Sequence, residues 1–288
     1  MKLAVVTDST AYLDQEEIDK YDIRVMSLPV IIDGTTYHEG IDITTEEFYE
    51  KLANASEFPT TSQPAIGDWL SLFESLKQEG YDGTIVINLA STISGTVNTV
   101  AGLDSMIDDF KVYGYDSKIT VRLMGHLVMK AAQLVKKGES IDNIIKVLDE
   151  LSATIDECFI VDDLQNLVRG GRLSNASAFI GTMLKIKPLL TFDDETNQIV
   201  PFEKVRSMKK AMQRAEILFA QAKEAADYPL RAMVIQGNDK EAGQAWHDKL
   251  QKEYPDMRIE FSYIGPVIGA HLGKGALALA WLRDPDSL

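Results

Sequence analysis

The sequence has little cysteine and no long apolar run, and both absences restrict what the protein can be. Cys158 is the only cysteine among 288 residues, so no internal disulfide can form. A chain without disulfides is typical of a reducing compartment. No apolar run approaches the roughly 18 residues of a membrane span, and the start of the chain turns polar at Asp8, too soon for a signal peptide. We therefore expect a cytoplasmic protein.

Basic residues are also scarce, because 29 Lys and Arg face 44 Asp and Glu, which leaves a formal net charge of −15. Such a chain is repelled by phosphate backbones and by anionic membranes. The sequence also lacks a Gly-x-Gly-x-x-Gly loop after its first strand, a Walker loop, a Gly-x-Ser-x-Gly elbow and a His/Cys cluster at metal spacing. These absences argue against nucleic-acid binding and against a dehydrogenase, an NTPase, an α/β-hydrolase or a zinc enzyme.

Short β-branched runs alternate with longer amphipathic stretches in the first half, which predicts an α/β domain with a mostly parallel sheet and helices on both faces. The predicted strands are 2–7, 25–32 and 84–90, and the predicted helices are 45–53, 67–79, 97–107, 127–137 and 141–151.

The second half predicts a further α/β unit with a mixed sheet. Strands are expected at 159–161, 187–192, 199–204, 230–236 and 258–263, with helices at 208–226 and 240–252. The turn at 193–197 between two of these strands is typical of a hairpin. We predict two domains, 1–155 and 156–288, with a cleft between them because no flexible linker separates them.

Three loops are rich in hydroxyl groups: Asp8-Ser9-Thr10, Thr60-Thr61-Ser62-Gln63-Pro64 and Ser91-Thr92-Ile93-Ser94-Gly95-Thr96. Two of them follow predicted strands, where ligands of parallel sheets bind. Each loop is also compatible with simple helix capping, by Ser62 or Gln63 before Pro64 and by Ser94 before Gly95. Together they can supply several neutral donors to one carboxylate or phosphate.

Two glycine-rich segments carry the remaining candidates. Gly265 to Gly275 contains four glycines and His271, and a turn of this kind would let the imidazole project into a cleft. Val168 to Ser174 places Arg169 and Arg172 about a glycine pair before the apolar stretch 176–184, with Ser174 as a candidate helix cap and Arg172 as an anion reader. A structural histidine and a solvated surface turn remain the alternatives. Cys158 is expected in the core.

Basic residues concentrate between Arg169 and Arg214, where nine of them face only four acidic ones. A solvated face is the simpler interpretation of this segment. The alternative is a docking patch for an acidic protein or a phosphorylated group, since arginine holds phosphate in a bidentate manner.

In their order, these segments resemble the DegV family of bacterial fatty-acid-binding proteins, which includes the lipid-binding subunit of fatty acid kinase. The resemblance covers essentially the whole chain. Its motifs are Asp8-Ser9-Thr10, Thr61-Ser62-Gln63-Pro64, Ser94-Gly95-Thr96 with Asn98, Gly170-Gly171-Arg172-Leu173-Ser174, Lys204-Val205-Arg206 and Pro266-Val267-Ile268-Gly269-Ala270-His271. The chain departs from the family pattern at Ala65, at 122–126 and at Lys274.

The resemblance implies two α/β domains with a lipid tunnel between them that holds a long-chain fatty acid such as palmitate or a similar C14 to C18 acid. It implies that Thr61, Ser62, Ser94, Gly95 and His271 bind the carboxylate. It further implies that a separate fatty acid kinase subunit phosphorylates the bound acid for phospholipid metabolism, and that Arg172 engages that subunit. No cofactor and no metal are expected.

We therefore interpret the sequence as that of a lipid-binding carrier without catalysis of its own. A different class of interpretation is an enzyme, either a hydrolase using Ser94 and His271 or a transferase acting on a small phosphate ester in the same cleft. A third is a regulator that senses lipid and binds a partner through the basic segment.

Overall fold

The computed structural model describes residues 1–174 and 186–288, and these residues form two compact units. The first unit comprises Met1–Ile43 and Thr61–Ala153, and the second comprises Thr44–Thr60 and Thr154–Leu288. The second unit therefore takes one segment from the first half of the chain. In the part of the chain that the structure describes, no helix combines the length and apolarity needed to cross a membrane.

Strands and helices alternate along the first half of the chain. The strands are β1 (Leu3–Asp8), β2 (Ile23–Met26), β3 (Pro29–Ile32), β4 (Thr35–His38), β5 (Thr60–Thr61), β6 (Gly83–Asn88) and β7 (Lys111–Asp116). The helices are α1 (Gln15–Tyr21), α2 (Thr45–Asn54), α3 (Ile66–Gln78), α4 (Thr96–Ala101), α5 (Val121–Lys136) and α6 (Ile141–Ser152). Of these helices, α2 belongs to the second unit.

A parallel sheet in the order β2-β1-β6-β7 is the centre of the first unit. Every residue of β1 and β6 is buried, as continuous apolar runs predict for central strands of a parallel sheet. The predicted strands 2–7 and 84–90 are thus confirmed. The predicted single strand 25–32 is wrong, because the chain leaves the sheet after Met26 and starts β3 at Pro29, which has no N–H to give to a ladder. Instead, β3 pairs with β4 in a small separate sheet.

The strand order of the parallel sheet places a topological switch between β1 and β6. The chain continues from β1 to β2 on one side and from β6 to β7 on the other. Ligands of open α/β sheets bind beyond the carboxyl ends of the strands at such a point. Here β1 ends at Asp8 and β6 ends at Asn88, so the loops that follow these two residues lie at the switch point.

Helix α3 provides much of the core on one face of this sheet. Its Trp69, Phe73 and Leu76 are fully buried against Val6 and Val86. Burying each such side chain contributes roughly 1.5–3 kcal/mol to stability. The predicted helix 67–79 is confirmed, because its apolar residues recur at the spacing of one helical face.

Helix α5 begins at Val121 rather than at the predicted residue 127. The sequence shows no apolar helical pattern in its first turns, because Arg122, His126 and Lys130, which recur every four residues, are polar and yet buried. Arg122 donates two hydrogen bonds of 2.6 Å to the carboxylate of Glu17 in α1. This pairing explains how the guanidinium of Arg122 is accommodated inside the unit.

The second unit contains the remaining elements. Its strands are β8 (Asp156–Ile160), β9 (Lys187–Phe192), β10 (Ile199–Val205), β11 (Leu230–Gln236), β12 (Ile259–Tyr263) and β13 (Leu277–Arg283). Its helices, besides α2, are α7 (Gln165–Arg169), α8 (Met208–Ala225), α9 (Lys240–Glu253) and α10 (Pro266–Leu272).

These strands form a mixed sheet in the order β10-β9-β8-β13-β11-β12. The predicted hairpin is confirmed, since β9 and β10 pair antiparallel across the turn at 193–197, where Asn197 has a positive φ of 53°. Among the described strand pairs of this sheet, only β11 and β12 are parallel, and α9 is their crossover. The predicted helices 208–226 and 240–252 are likewise confirmed.

The core of the second unit lies between this sheet and helices α8 and α9. Phe219, Trp246 and Trp281 are its large members, and the rings of Phe219 and Trp281 lie 5.4 Å apart. Cys158 is buried among them, as predicted, and burial raises the pKa of its thiol to about 12. The thiol is therefore an inert core group.

Two predictions fail for local reasons. The glycine-rich segment 265–275 is mainly helix α10, which begins with Pro266 in its first turn, and it leads into β13, which the sequence did not indicate. The predicted helix 97–107 ends at Ala101, because Gly102 caps it and Asp104 accepts a hydrogen bond from the backbone of Val112. The predicted apolar stretch 176–184 and Lys185 lie outside the described residues.

Candidate functional site

Asp8 holds together the two loops that flank the switch point. Its buried carboxylate accepts hydrogen bonds from the amide and hydroxyl of Thr10, at 3.1 and 2.6 Å, and from Asn88 Nδ2 and the Leu89 amide, both at 3.0 Å. Burial raises the pKa of Asp8, although these donors lower it. The Thr120 hydroxyl, which precedes α5, extends the network by donating to the hydroxyl of Thr10. Asp8 is therefore a buried structural link between the two loops rather than an exposed reactive acid.

Ser94 and Gly95 lie in the loop that follows β6. The Ser94 hydroxyl is 2.8 Å from the hydroxyl of Thr96 and accepts a 3.3 Å hydrogen bond from the Thr96 amide. Ser94 is half-buried and Gly95 is exposed. Gly95 is the N-cap of α4, so the predicted helix entry is confirmed, and Ser94 assists it through Thr96. Because α4 has only six residues, its backbone dipole adds little to anion binding here.

Thr61 and Ser62 lie where β5 ends. Thr61 is half-buried, and Ser62 is exposed and donates its amide to the carbonyl of Pro29 in β3. The capping role considered for Ser62 or Gln63 is wrong, because α3 has Ala65 as its N-cap and no side-chain cap. Pro64 lies outside the helix, so the hydroxyl of Ser62 is not used to cap it.

Gln63 connects these two loops, and the sequence did not single it out for this role. Its Oε1 accepts a 2.8 Å hydrogen bond from the hydroxyl of Thr99 in α4. A Cβ atom placed on Gly95 would lie 3.4 Å from the same oxygen. The structure thus brings Ser62, Ser94 and Gly95 into one neighbourhood of the first unit. The contact joins residues 36 positions apart, so no local pattern could have indicated it.

His271 belongs to the second unit and lies in the last turn of α10. It does not project from a flexible turn, as the sequence suggested, because the segment is helical. Gly170, at the end of α7, allows the close approach of the ring: a Cβ there would lie 2.5 Å from His271 Nδ1. On another face of α10, Gly269 admits Phe48 and Tyr49 of α2, and the Tyr49 hydroxyl donates to the Ile264 carbonyl at 3.1 Å. These contacts fix the position of the imidazole.

Burial, and secondarily the positive charge of Arg172, lower the pKa of His271 to about 4. The imidazole is therefore neutral near pH 7, with one nitrogen able to donate a hydrogen bond and the other able to accept one. A neutral donor binds a carboxylate without forming an ion pair. The same low pKa makes His271 a weak general base, which does not favour the hydrolase alternative.

Arg172 lies beside His271, immediately after the glycine pair. Its guanidinium hydrogen-bonds to the carbonyl of Gly170, and its amide donates to the Leu167 carbonyl at 2.9 Å. Gly171 has a φ of +70°, which a residue with a side chain rarely adopts, so the turn requires glycine at this position. The guanidinium of Arg169, in contrast, lies over the ring of Phe58, 3.8 Å from its centroid.

Two cations of the basic segment form ion pairs within the second unit. Lys187 pairs with Asp162 at 2.5 Å, and Arg214 pairs with Glu203 at 2.6 Å. Lys204 and Arg206 lie at the end of β10 and just beyond it. The segment is therefore a partly neutralised surface, which supports the simpler interpretation for Lys187 and Arg214.

The two groups of candidates share one chemical character. Ser62 and Ser94 in the first unit offer hydroxyls, and His271 in the second offers a neutral imidazole. Neutral donors of this kind suit a monovalent carboxylate better than a multiply charged phosphate, which favours several cations. In the described parts of the chain, no three His, Cys, Asp or Glu side chains gather as a metal would require.

Comparisons with known proteins cover nearly the whole chain. Residues 2–284 match a family described as "Uncharacterised protein, DegV family". A DegV domain-containing protein of Listeria monocytogenes is 46% identical over 97% of this chain and 98% of that protein. The crystal structure of DegV, a fatty acid binding protein from Bacillus subtilis, is 44% identical, covers 99% of this chain and 100% of its own, and superposes with a TM-score of 0.89. A fatty acid binding DegV family protein from Streptococcus agalactiae is 35% identical, with 99% of both chains covered and a TM-score of 0.90.

Proposed function

The chain belongs to the DegV family, and from this membership we propose that it binds a long-chain fatty acid in an apolar tunnel. The observation that carries the proposal is the 44% identity, across 99% of the chain, to a protein described as fatty acid binding. The more distant protein from S. agalactiae, at 35% identity, is described in the same way. Fatty-acid binding is therefore the function that the similarity supports best.

The tail supplies most of the affinity in this proposal. Each methylene removed from water contributes about 0.8 kcal/mol, so a dozen of them contribute on the order of 10 kcal/mol before the cost of ordering is subtracted. The head group then needs only enough donors to replace its hydration. A ligand such as palmitate, or a similar C14 to C18 acid, meets both conditions.

We assign the carboxylate to the neutral donors described above. Thr61, Ser62, Ser94 and the backbone of Gly95 are the proposed ligands in the first unit, and His271 is the proposed donor from the second. The support for this assignment is the position of Ser94 and Gly95 in the loop after β6, the contact of Gln63, the residue after Ser62, with Thr99 and Gly95, and the neutral state of His271. Variants of Thr61 and Ser94 test the part of the assignment that lies in the first unit.

The decisive experiment for the function is organic extraction of the purified protein followed by mass spectrometry. We expect about one C14 to C18 fatty acid for each chain. Protein that carries no acid and, after delipidation, binds no added hexadecanoic acid would refute the proposal.

Variants of the head-group ligands test the site. Thr61→Val and Ser94→Ala each remove a hydroxyl, and each is expected to weaken binding of hexadecanoic acid about three- to tenfold. Ser71→Ala is the matched control, because Ser71 is exposed on α3 and its hydroxyl donates only to the Gly67 carbonyl. Unchanged affinity in both Thr61→Val and Ser94→Ala would contradict the assignment of the carboxylate.

We also propose that the bound acid is presented to a separate ATP-dependent kinase subunit. A carboxylate oxygen would attack the γ-phosphorus of ATP, forming an acyl phosphate and releasing ADP. Arg172 is the proposed contact with that subunit, and its position beside His271 supports a role at the head-group end of the ligand.

The test of this second step is acyl-phosphate formation with a cognate kinase subunit. Arg172→Ala is expected to reduce the rate more than tenfold while leaving the dissociation constant of the fatty acid within about threefold of the wild type. Arg214→Ala, which removes a cation already paired with Glu203, is the matched control. A rate that Arg172→Ala does not change would remove Arg172 from the proposal.

A further inference from the structure

Gln63 places an amide group between the two hydroxyl-bearing loops of the first unit. Its Oε1 accepts the Thr99 hydroxyl at 2.8 Å. The other amide atom, Nε2, would lie 3.7 Å from a Cβ on Gly95. The amide therefore lies next to Gly95, on the side where a side chain would project. In the sequence, Gly95 directly follows Ser94 and Gln63 directly follows Ser62.

The contact with Thr99 has a consequence for orientation. A primary amide has one acceptor atom and one donor atom. Because the Thr99 hydroxyl is bound to the oxygen, the nitrogen is directed away from Thr99 and keeps its two N–H groups for another acceptor. Gly95 carries no side chain that would cover this nitrogen.

The exposure of Gln63 shows that this arrangement adds little to folding. Gln63 is exposed and Thr99 is half-buried, and hydrogen bonds between accessible groups contribute little net stability. By contrast, an accessible amide with a fixed orientation is well suited to bind an anion, because its donor is already aligned before the ligand arrives.

We infer that Gln63 is a further ligand of the head group: its Nε2 donates a hydrogen bond to the bound carboxylate, and Thr99 acts as the positioning residue that orients it. The inference rests on the proposed function. It adds a charge-neutral donor that distinguishes a carboxylate, which accepts strongly, from an uncharged head on the same hydrocarbon tail.

The test compares two probes, hexadecanoic acid and hexadecan-1-ol, on delipidated protein. Gln63→Met keeps the length of the side chain but removes the donor, so we expect binding of the acid to weaken three- to tenfold with a smaller change for the alcohol. Gln63→Glu places a second carboxylate against the first, and we expect it to weaken acid binding more than tenfold.

Variants at Thr99 test the positioning role. Thr99→Val is expected to weaken acid binding in the same sense as Gln63→Met, and to have no further effect when the two are combined. Thr99→Ser retains the hydroxyl and should bind the acid with the affinity of the wild type. Gln78→Met, at the exposed end of α3, is the control for the loss of an amide.

Affinity for the acid that stays at the wild-type value in both Gln63→Met and Gln63→Glu would overturn the inference. An equal loss for acid and alcohol would also overturn it, since a structural defect lowers both. If the wild-type protein binds neither probe, the proposed function fails together with the inference. The two preceding outcomes, by contrast, overturn the role of Gln63 and leave fatty-acid binding standing.

Discussion

The imidazole of His271 is held in place by residues that have no polar side chain of their own. Gly170 leaves room for the ring, and Gly269 lets α10 approach α2 closely enough to fix the helix that carries it. Arg172 then adds a positive charge nearby, which together with burial keeps the ring neutral. At the scale of single residues, the position of His271 thus depends on two glycines as much as on polar neighbours.

The first prediction concerns Gly170→Ala. Its new Cβ would lie 2.5 Å from His271 Nδ1 and 3.1 Å from the Asn166 carbonyl, so the ring must move. We expect a loss of about 1–3 kcal/mol in the free energy of unfolding, measured by urea denaturation, and weaker fatty-acid binding. Gly67→Ala is the matched control, because nothing lies within 4 Å of the position of its Cβ, and it should be neutral or slightly stabilising. A Gly170→Ala protein as stable as Gly67→Ala would contradict the close contact.

The second prediction concerns pH. Because the pKa of His271 falls from 6.5 to about 4 on folding, the unfolded chain binds more protons between these values. The free energy of unfolding therefore falls as the pH drops from about 6.5 towards 4, and the loss due to His271 is on the order of 2 kcal/mol at pH 5. Unfolding free energies of the ligand-free wild type and of His271→Gln, measured from pH 7 to pH 4.5, should show the smaller pH dependence in the variant. Parallel curves would contradict a neutral, buried imidazole.

At the scale of elements, a buried glutamate links two strands, and a poorly exposed ion pair links two helices. Glu157 in β8 accepts hydrogen bonds from the Thr191 hydroxyl, at 3.1 Å, and from the Phe192 amide, at 2.7 Å, and thereby links β8 to β9 beyond their backbone ladder. In the first unit, the pair of Arg122 and Glu17 links α5 to α1. Both groups are polar interruptions of apolar patterns, and each has a testable energetic consequence.

The third prediction follows from Glu157, whose pKa burial raises to about 8. Between pH 4.5 and 8 the folded state binds the proton that the unfolded state has released, so this group opposes folding increasingly as the pH rises. Glu157→Gln keeps the acceptor oxygen and should stabilise the protein by on the order of 3 kcal/mol at pH 7, with little effect near pH 4.5. Denaturant titrations at the two pH values measure this, with the exposed Glu50→Gln as control. Equal stability of wild type and Glu157→Gln at pH 7 would refute it.

The fourth prediction concerns the ion pair between α5 and α1. Its side chains are only 11% and 18% exposed, so Arg122→Met leaves the Glu17 carboxylate in a poorly hydrated site. We expect a loss of about 3 kcal/mol in thermal or urea unfolding experiments. The exposed pair of Lys146 and Glu150, 3.9 Å apart, provides the comparison, and Lys146→Met should change stability by less than about 1 kcal/mol. Similar effects of the two substitutions would show that burial does not decide the outcome.

At the scale of the whole molecule, ligand and fold are linked by mass action. A ligand that binds only the folded chain stabilises it by about 2.7 kcal/mol at a concentration of 100 times its dissociation constant. For the proposed fatty acid, most of this binding energy comes from the tail. The head group alone should therefore have no measurable effect on stability.

The fifth prediction applies this linkage. Saturating hexadecanoic acid should raise the melting temperature of delipidated protein by roughly 5 to 10 °C, whereas butanoate, with the same carboxylate, should not raise it. Differential scanning calorimetry measures both. A shift with butanoate, or none with hexadecanoic acid, would contradict an affinity that depends on the tail.

Sequence patterns predicted the fold class and most of the regular elements, because β1 and β6 are short continuous apolar runs and α3 and α8 have the apolar periodicity of a helix. They failed where burial and polarity conflict, as in the first turns of α5. They also gave no indication that Thr44–Thr60 belongs to the second unit, since that assignment depends on contacts distant in sequence. For the same reason the hydroxyl loops were visible in the sequence, and the contact between Gln63 and Thr99 was not. The cytoplasmic location stays a prediction.

The last strand of the chain, β13, lies in the middle of its sheet, between β8 and β11. During synthesis, both of these strands leave the ribosome before the partner that joins them exists. Until Leu277–Arg283 emerges, each keeps an unpaired edge, and such edges invite wrong pairing with other nascent chains. A chain that ends before Leu277 therefore lacks the strand that connects the two halves of this sheet.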